Sequence, residues 1–137
     1  MREKIIAGFL CVLLMLSLSG CESKKAEEAQ KGKDIEYTVV AERDLPQELV
    51  DVIDAKKTEK YKITYTDGEY LYISYGYGEQ ESGGYSIGVK ALYQTPNSLH
   101  FAVEVHGPKR GENVPKGKSY PYIVVKTEAV ELPVVFE

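Results

Sequence analysis

The chain begins with an apolar run, continues through a charged segment, and then shows alternating apolar and polar positions. Residues 5–18 are mostly apolar, and as a helix they would reach roughly 21 Å, short of the roughly 30 Å hydrocarbon core of a bilayer. Residues 22–33 contain no aliphatic side chain larger than alanine, so they cannot bury a face. The pattern predicts a removable signal over residues 1–20, a flexible tether over residues 21–34 and a folded domain over residues 35–137.

The first predicted elements of the domain are a strand and a helix. Alternation over residues 35–41 predicts the strand. Asp44 is then the expected N-cap, Gln47 its capping-box partner and Pro46 a first-turn residue. The apolar face of the helix is expected to contain four residues, namely Leu45, Leu49, Val52 and Ile53.

Two alternating segments, residues 61–66 and 69–75, flank an Asp-Gly turn. A three-residue turn with Gly68 in the left-handed conformation would pair Ile63 with Leu71 and bring both apolar rows together. A two-residue turn over the Asp-Gly pair would set a lysine beside the aliphatic row instead. We therefore expect a bulged hairpin.

Four further strands are expected after the glycine-rich loop at residues 76–84. The first has Tyr85, Ile87, Val89, Ala91 and Tyr93 on one face, and the second has Leu99, Phe101, Val103 and Val105 on its inward side. The third runs from Tyr120 to Thr127 with Pro121 at an edge or bend, and the fourth runs from Leu132 to Phe136.

These elements predict a fold class of α+β, mostly β. The links between later strands are too short for parallel crossovers, so the order should be antiparallel. We expect a curved sheet or small open barrel of six to seven strands, with one amphipathic helix near the N-terminus.

The segment Leu18-Ser19-Gly20-Cys21 closes the apolar run, which Arg2 and Lys4 precede. It resembles the lipobox of bacterial lipoprotein signals. The resemblance implies cleavage between Gly20 and Cys21, a thioether-linked diacylglyceryl group on Cys21 and fatty acylation, such as palmitate, of the new amine. Two or more chains give stable anchoring, which predicts an extracytoplasmic protein held by lipid on the cell membrane or outer membrane. The alternative is an ordinary secretory signal with a chance cysteine.

The net charge and the cysteine content argue against several classes of function. The formal charge is −4, and loss of the signal removes two basic residues and one acidic residue, which leaves the remainder more negative. Nucleic acid is therefore not expected as a partner, because phosphate binding needs clustered Lys and Arg. Cys11 leaves with the signal, so neither a disulfide nor thiolate chemistry is expected.

Few residues are candidates for catalysis or metal binding. His100, Glu104 and His106 share a strand face, but at about 3.3 Å per residue the two histidines would stand roughly 20 Å apart, too far to share one ion. A hydrolase needs a histidine held by a carboxylate beside a serine, and both histidines lie on one strand. The glycine-rich loop lacks a following helix and a P-loop lysine. We therefore expect no catalytic residue, no metal, no cofactor and no enzyme activity.

Tyrosine is the unusual residue, with eleven in the chain and no tryptophan. Alternation points Tyr70 and Tyr72 away from Leu71 and Ile73, so part of the set is expected to be exposed as contact surface for a protein or a sugar. The alternative is a second core layer beneath the helix.

Two motifs carry a resemblance to a known family. They are Gly78 with Gly83-Gly84-Tyr85-Ser86-Ile87, and Tyr120-Pro121-Tyr122 with Ile123-Val124-Val125-Lys126. Together they resemble the C-terminal domain family of PrcB, the lipoprotein subunit of a secreted subtilisin-type protease complex.

That resemblance implies a non-catalytic partner that binds or helps mature an extracytoplasmic subtilisin-like serine protease. The chain departs from the family pattern at Gln80-Glu81-Ser82, where members commonly have Lys-Pro-Thr, and near Lys116, where a glutamine is common. The candidate binding loop has seven residues, namely Gly78, Gly83, Gly84, Tyr85, Tyr120, Pro121 and Tyr122. A small-ligand or glycan-binding surface lipoprotein is the alternative function.

Overall fold

Two four-stranded sheets, a two-stranded ribbon and one α-helix make up the computed structural model over residues 32–137, the part of the chain that the structure describes. The predicted signal, Gly20, Cys21 and most of the predicted tether lie outside these residues. The elements are β1 (Lys33–Asp34), β2 (Thr38–Val39), a 3-10 helix (Glu42–Asp44), α1 (Gln47–Lys56), β3 (Lys60–Thr66), β4 (Tyr70–Tyr77), β5 (Gln80–Ser82), β6 (Ser86–Gln94), β7 (Leu99–His106), β8 (Lys116–Ser119), β9 (Tyr122–Glu128) and β10 (Val134–Phe136).

The strands form three separate sheets. The central sheet has the order β2-β9-β4-β3, the outer sheet has the order β1-β6-β7-β10, and the ribbon pairs β5 with β8. Pairing is antiparallel except for β10, which lies parallel to β7. The mostly-β class is confirmed, whereas the described residues hold ten strands and no closed barrel. A parallel pair arises because the chain passes through β8 and β9 before it returns to the outer sheet.

Both faces of the central sheet are buried. On one face, Leu49 and Ile53 of α1 pack on three sheet residues, Tyr61, Tyr72 and Val124, to form the helix-side core. The other face packs against the outer sheet to form the inter-sheet core. Its buried members are Leu71, Ile73, Leu92, Leu99, Phe101, Ile123 and Val125. Full burial of one such large side chain stabilises the fold by about 1.5–3 kcal/mol.

Several tyrosines belong to the core. Tyr72 is only 5% exposed and Tyr61 only 7%, and Tyr65, Tyr70 and Tyr122 pack against the same helix-side core. The expectation that Tyr72 would be exposed is wrong, and the alternative of a second core layer beneath the helix is correct for these residues. Leu71 and Ile73 of β4 pack in the inter-sheet core, so Tyr70 and Tyr72 on the opposite face of the strand pack towards the helix.

The helix lies where the apolar spacing predicts it, but it begins differently. Pro46 is the N-cap residue and no side chain caps the helix, so the expected capping by Asp44 is wrong. Asp44 instead ends the 3-10 helix, with its N–H bonded to the carbonyl of Ala41 at 2.9 Å. Val52, expected on the buried face, is 39% exposed.

Residues 35–41 do not form one strand. The chain leaves the outer sheet after β1, which pairs with β6, and enters the central sheet at β2, which pairs with β9. Ile35 packs against the inter-sheet core, whereas Val39 is 56% exposed. Because Lys33 and Asp34 are already paired, ordered structure begins inside the segment expected to be tether.

The β3–β4 hairpin has a different register from the expected one. Ile63 pairs with Ser74 rather than Leu71. The N–H of Asp67 donates to the carbonyl of Tyr70 at 3.2 Å, which leaves Gly68 and Glu69 as the central residues of the turn. Gly68 has φ of 95°. A positive φ is required at the first central position of a two-residue hairpin turn, which is why glycine is favoured there.

A bulge changes the face of β6. Val89 pairs with Val103 and Ala91 with Ala102, so Lys90 is the extra residue. Beyond it Leu92, not Ala91, enters the core and is 3% exposed, since one inserted residue reverses the alternation. Within residues 32–137 no helix is long and apolar enough to cross a membrane.

Candidate interaction site

The ribbon is formed by the segments next to the two motifs of the predicted binding loop: β5 lies between Gly78 and Gly83, and β8 ends directly before Tyr120. Gln80 of β5 pairs with Ser119 of β8, and Ser82 pairs with Lys116 across a register shift. The Ser119 hydroxyl donates to the carbonyl of Ser82 at 2.7 Å. Segments 37 positions apart in sequence therefore form one small element, whose strand β5 lies between β4 and β6 along the chain.

Glycines allow the turns at both ends of β5. Gly78 has φ of 86° and Gly84 has φ of 91°, a region that residues with a Cβ rarely adopt. A Cβ on Gly84 would also lie 2.6 Å from Cγ1 of Val114. These glycines shape the ribbon, so their role is conformational.

Half-buried tyrosines flank the ribbon. The rings of Tyr77 and Tyr85 have centroids 6.1 Å apart, and the Tyr85 ring lies against Gly107, where a Cβ would be 3.2 Å from Cε1. Tyr120 lies beside β8, and its hydroxyl donates to Oε1 of Glu79 at 3.2 Å. We call Tyr77, Tyr85 and Tyr120 the ribbon tyrosines.

Lysines lie over two of these rings. Nζ of Lys60 is 4.7 Å from the centroid of Tyr77, and Nζ of Lys57 is 5.3 Å from that of Tyr120. Lys118 of β8 donates to Oε2 of Glu79 at 3.3 Å, and this hydrogen bond to the carboxylate raises the pKa of Lys118. The surface therefore combines aromatic rings with cations at short range.

Two residues of the predicted loop have structural roles. The carbonyl of Pro121 accepts the N–H of Tyr77 at 2.9 Å. The strand expected from Tyr120 begins at Tyr122, so Pro121 lies just outside it, between β8 and β9. Tyr122 packs against the helix-side core, and burial, followed by the nearby Glu42, raises its pKa. Tyr122 thus supports the helix and lies apart from the ribbon tyrosines.

A cleft of about 850 Å³ lies where the chain passes from β1 to β2. Its walls include Tyr37, Tyr70 and Lys126. Nζ of Lys126 is 4.1 Å from the Tyr70 centroid, so a cation already covers that ring. Tyr37 is 40% exposed, and within residues 32–137 no lysine or arginine lies over its ring, so it can serve as an aromatic platform in the cleft.

The histidines have different surroundings from those that the sequence suggested. Nε2 of His106 lies 3.1 Å from Oε2 of Glu104, and the described residues hold no cluster of three or more metal-ligating side chains. His100, however, lies between Ser98 and Glu137, with 2.8 Å from Oγ of Ser98 to Nε2 and 2.8 Å from Nδ1 to Oε1 of Glu137. We call Ser98, His100 and Glu137 the edge triad.

His100 has both a serine and a carboxylate partner although it lies on a regular strand, so the expectation that its position on the strand rules out such partners is wrong. Parallel pairing sets Val135 beside His100, and Glu137, two residues further along the chain, contacts the imidazole. Nothing local in the sequence signals a pairing between segments so far apart, so sequence reasoning missed the edge triad.

The segment that contains the ribbon is similar to a known protein family. Residues 71–128 match the family model described as PrcB C-terminal, which confirms the resemblance drawn from the two motifs. The matched segment runs from β4 to the end of β9 and includes both strands of the ribbon. No curated protein matches the chain, and no solved structure matches it.

Proposed function

We propose that this chain, with its PrcB C-terminal segment at residues 71–128, is a membrane-anchored extracytoplasmic lipoprotein and a non-catalytic subunit of a protease complex. Its partner is a subtilisin-like serine protease, as the family resemblance implies. The observation that carries the proposal is the ribbon, because both of its strands lie within the matched segment and adjoin the motif residues Gly83 and Tyr120.

The chemistry of the ribbon surface suits a protein partner. Interfaces are enriched in tyrosine, which supplies contact area at low entropic cost because its side chain has few rotatable bonds. The ribbon tyrosines are half-buried, so the surrounding structure already restrains their rings. Lys57 and Lys60 add cations that a partner's carboxylates can approach.

The membrane attachment is proposed to be lipid on Cys21, with residues 1–20 removed as the signal. The folded domain then lies on the extracytoplasmic side, where a secreted protease is accessible. Mass spectrometry of the mature N-terminus tests this part: a diacylated or triacylated Cys21 is expected, and an unmodified residue with the leader attached contradicts it. Cys21→Ala should release the protein from the membrane fraction.

Affinity capture tests the partner. The detergent-solubilised lipoprotein should retain a subtilisin-type protease, identified by mass spectrometry, from the envelope of the cells that make it. Tyr85→Ala and Tyr120→Ala should reduce recovery at least about tenfold, the effect of losing roughly 1.4 kcal/mol of binding free energy. Tyr37→Ala removes an exposed tyrosine away from the ribbon and is the matched control. Equal recovery by all three variants would contradict a role for the ribbon.

Gly84→Val offers a second probe of the ribbon, because its side chain meets Val114. Its circular dichroism and thermal midpoint must be measured alongside, so that loss of binding is separated from loss of folding.

The cleft beside Tyr37 favours the alternative function, a small-ligand or glycan-binding lipoprotein. Sugar stacking on an aromatic platform would use this face and not the ribbon. Thermal-shift screening against sugars and cell-wall fragments separates the two, because a ligand at 100 times its dissociation constant stabilises by about 2.7 kcal/mol. Tyr37→Ala should abolish such a shift while leaving protease capture intact.

A further inference from the structure

The edge triad has the order of groups that activates a serine. The hydroxyl of Ser98 lies in hydrogen-bond contact with one nitrogen of His100, and the other nitrogen contacts the Glu137 carboxylate, both at 2.8 Å. A carboxylate on Nδ1 holds the Nδ1–H tautomer, which leaves Nε2 free to accept a proton. In this tautomer the Ser98 O–H donates to Nε2.

Neighbouring side chains fix the geometry. The Tyr93 ring stacks on the imidazole of His100, with centroids 4.7 Å apart and an interplanar angle of 2°. The Tyr93 hydroxyl donates to Oε1 of Glu137 at 3.1 Å, and these two hydrogen bonds, with that from His100 the larger influence, hold the pKa of Glu137 below its usual value. The carboxylate and the ring are thus oriented before any reactant arrives.

Thr95 positions the serine. Its Oγ1 lies 3.1 Å from Oγ of Ser98 and accepts the Ser98 N–H at 3.1 Å. Ser98 is half-buried, and the side chain of His100 is 19% exposed. Ser98 and His100 are therefore each partly accessible to solvent.

We propose that Ser98 is a covalent acylation site for small activated esters, a reactivity that goes beyond the proposed interaction role. Oγ attacks the ester carbonyl, and its proton passes to Nε2 of His100. The Oγ–C bond forms, the bond from carbon to the leaving alcohol breaks, and the alcohol departs with the proton. The products are an O-acyl Ser98 and the free alcohol.

The modification is expected to accumulate without turnover. The N–H groups of Asn97 and Ser98 both donate to Oγ1 of Thr95, at 3.4 and 3.1 Å, so neither is free to stabilise an oxyanion. One missing oxyanion donor costs about 10²–10³ in rate. An aryl ester compensates with its good leaving group, but the product is an ordinary serine ester and should hydrolyse slowly.

Reaction of the folded protein with 4-nitrophenyl acetate tests the proposal. We expect nitrophenolate release that stops near one equivalent, with the acetyl group mapped to Ser98 by peptide mass spectrometry. Ser98→Ala should remove that acetyl group, and His100→Gln should slow its formation by at least about 100-fold, the lower end of general-base contributions. His106→Gln, which alters a histidine on the same strand beside Glu104, is the control and should leave the rate unchanged.

Glu137 is a positioning residue in this proposal, since it acts through His100. Glu137→Gln should lower the Ser98 acetylation rate and Glu137→Asp should restore part of it, while the nitrogen NMR shifts of His100 report the Nδ1–H tautomer in the wild type only. If His100→Gln lowers the thermal midpoint, the two Glu137 variants provide the test of the triad in its place. Acetylation confined to lysines, or a Ser98 rate that is the same in the wild type, His100→Gln and the urea-unfolded chain, would overturn the proposal.

Discussion

The hydroxyl of Tyr61 lies 3.0 Å from Oγ of Ser74, inside the core between the helix and the central sheet. Ser74 is fully buried and donates its own hydrogen to the carbonyl of Ile123 at 3.0 Å, so the Tyr61 hydroxyl must be the donor to Ser74. Burial raises the pKa of Tyr61 to about 12, which keeps this donor protonated at neutral pH. The chain of two hydrogen bonds links β3, β4 and β9.

Removing the Tyr61 hydroxyl and removing the Ser74 hydroxyl should lower the free energy of unfolding by different amounts. Tyr61→Phe leaves Ser74 bonded to Ile123 and should cost about 1 kcal/mol in the free energy of unfolding. Ser74→Ala leaves a buried phenol without its acceptor and should cost about 2 kcal/mol. Urea denaturation measures both, with Tyr37→Phe as a control at an exposed tyrosine. A larger loss for Tyr61→Phe than for Ser74→Ala would contradict the assigned direction of the bonds.

Gly76 makes room for the ring of Tyr61. A Cβ at this position would overlap the Tyr61 ring, so Gly76→Ala must displace the tyrosine and should cost about 2 kcal/mol, a typical loss for overpacking. Gly88→Ala is the control, because its Cβ would meet nothing within 4 Å. In the double variant Gly76→Ala, Tyr61→Ala the clash is absent, so the two losses should be less than additive. Simple additivity would show that the ring is not what Gly76 accommodates.

Asp67 should make the hairpin sensitive to acid. Its carboxylate accepts the N–H groups of Tyr70 at 2.7 Å and Glu69 at 2.9 Å, and these bonds, the first being the larger influence, hold its pKa below the ordinary value of 3.8. A lowered folded-state pKa contributes stability that is fully present above that ordinary value and is lost as the pH falls through the lowered one. The stability difference between the wild type and Asp67→Asn should therefore shrink in acid.

Urea unfolding of both proteins at neutral pH and in acid checks this prediction. Asp51→Asn is the control, because that carboxylate is bonded by the side chain of Gln47 and not by backbone amides. A difference between the wild type and Asp67→Asn that stays the same at every pH would count against the hydrogen bonds as its cause.

The sequence predicts elements well where one face is buried. The helical spacing of Leu49 and Ile53 and the alternation of Leu99 and Phe101 identify residues that are at most 3% exposed. Proline was also informative, since Pro121 lies directly before the start of β9. The family resemblance drawn from the two motifs is confirmed over residues 71–128, whereas binding by the ribbon remains a prediction.

The prediction failed where register or burial depends on distant segments. Alternation predicts burial correctly only when one face of a strand is buried. In the central sheet the helix covers the second face, so Tyr72 is buried as well as Leu71 and Ile73. The hairpin accordingly pairs Ile63 with Ser74. The bulge at Lys90 has no local signature. The contact of Glu137 with His100 depends on a parallel pair formed after two intervening strands. These features follow from tertiary packing.

Site-specific photocrosslinking is the direct test of whether the ribbon tyrosines contact the protease partner. Benzoylphenylalanine in place of Tyr120 forms bonds only with neighbours a few ångströms away, and the same residue in place of Tyr37 provides a matched exposed position. We expect irradiated cells to yield a covalent adduct with a subtilisin-type protease from position 120 and none from position 37. An adduct from position 37 alone, or no protease adduct from either, would contradict it.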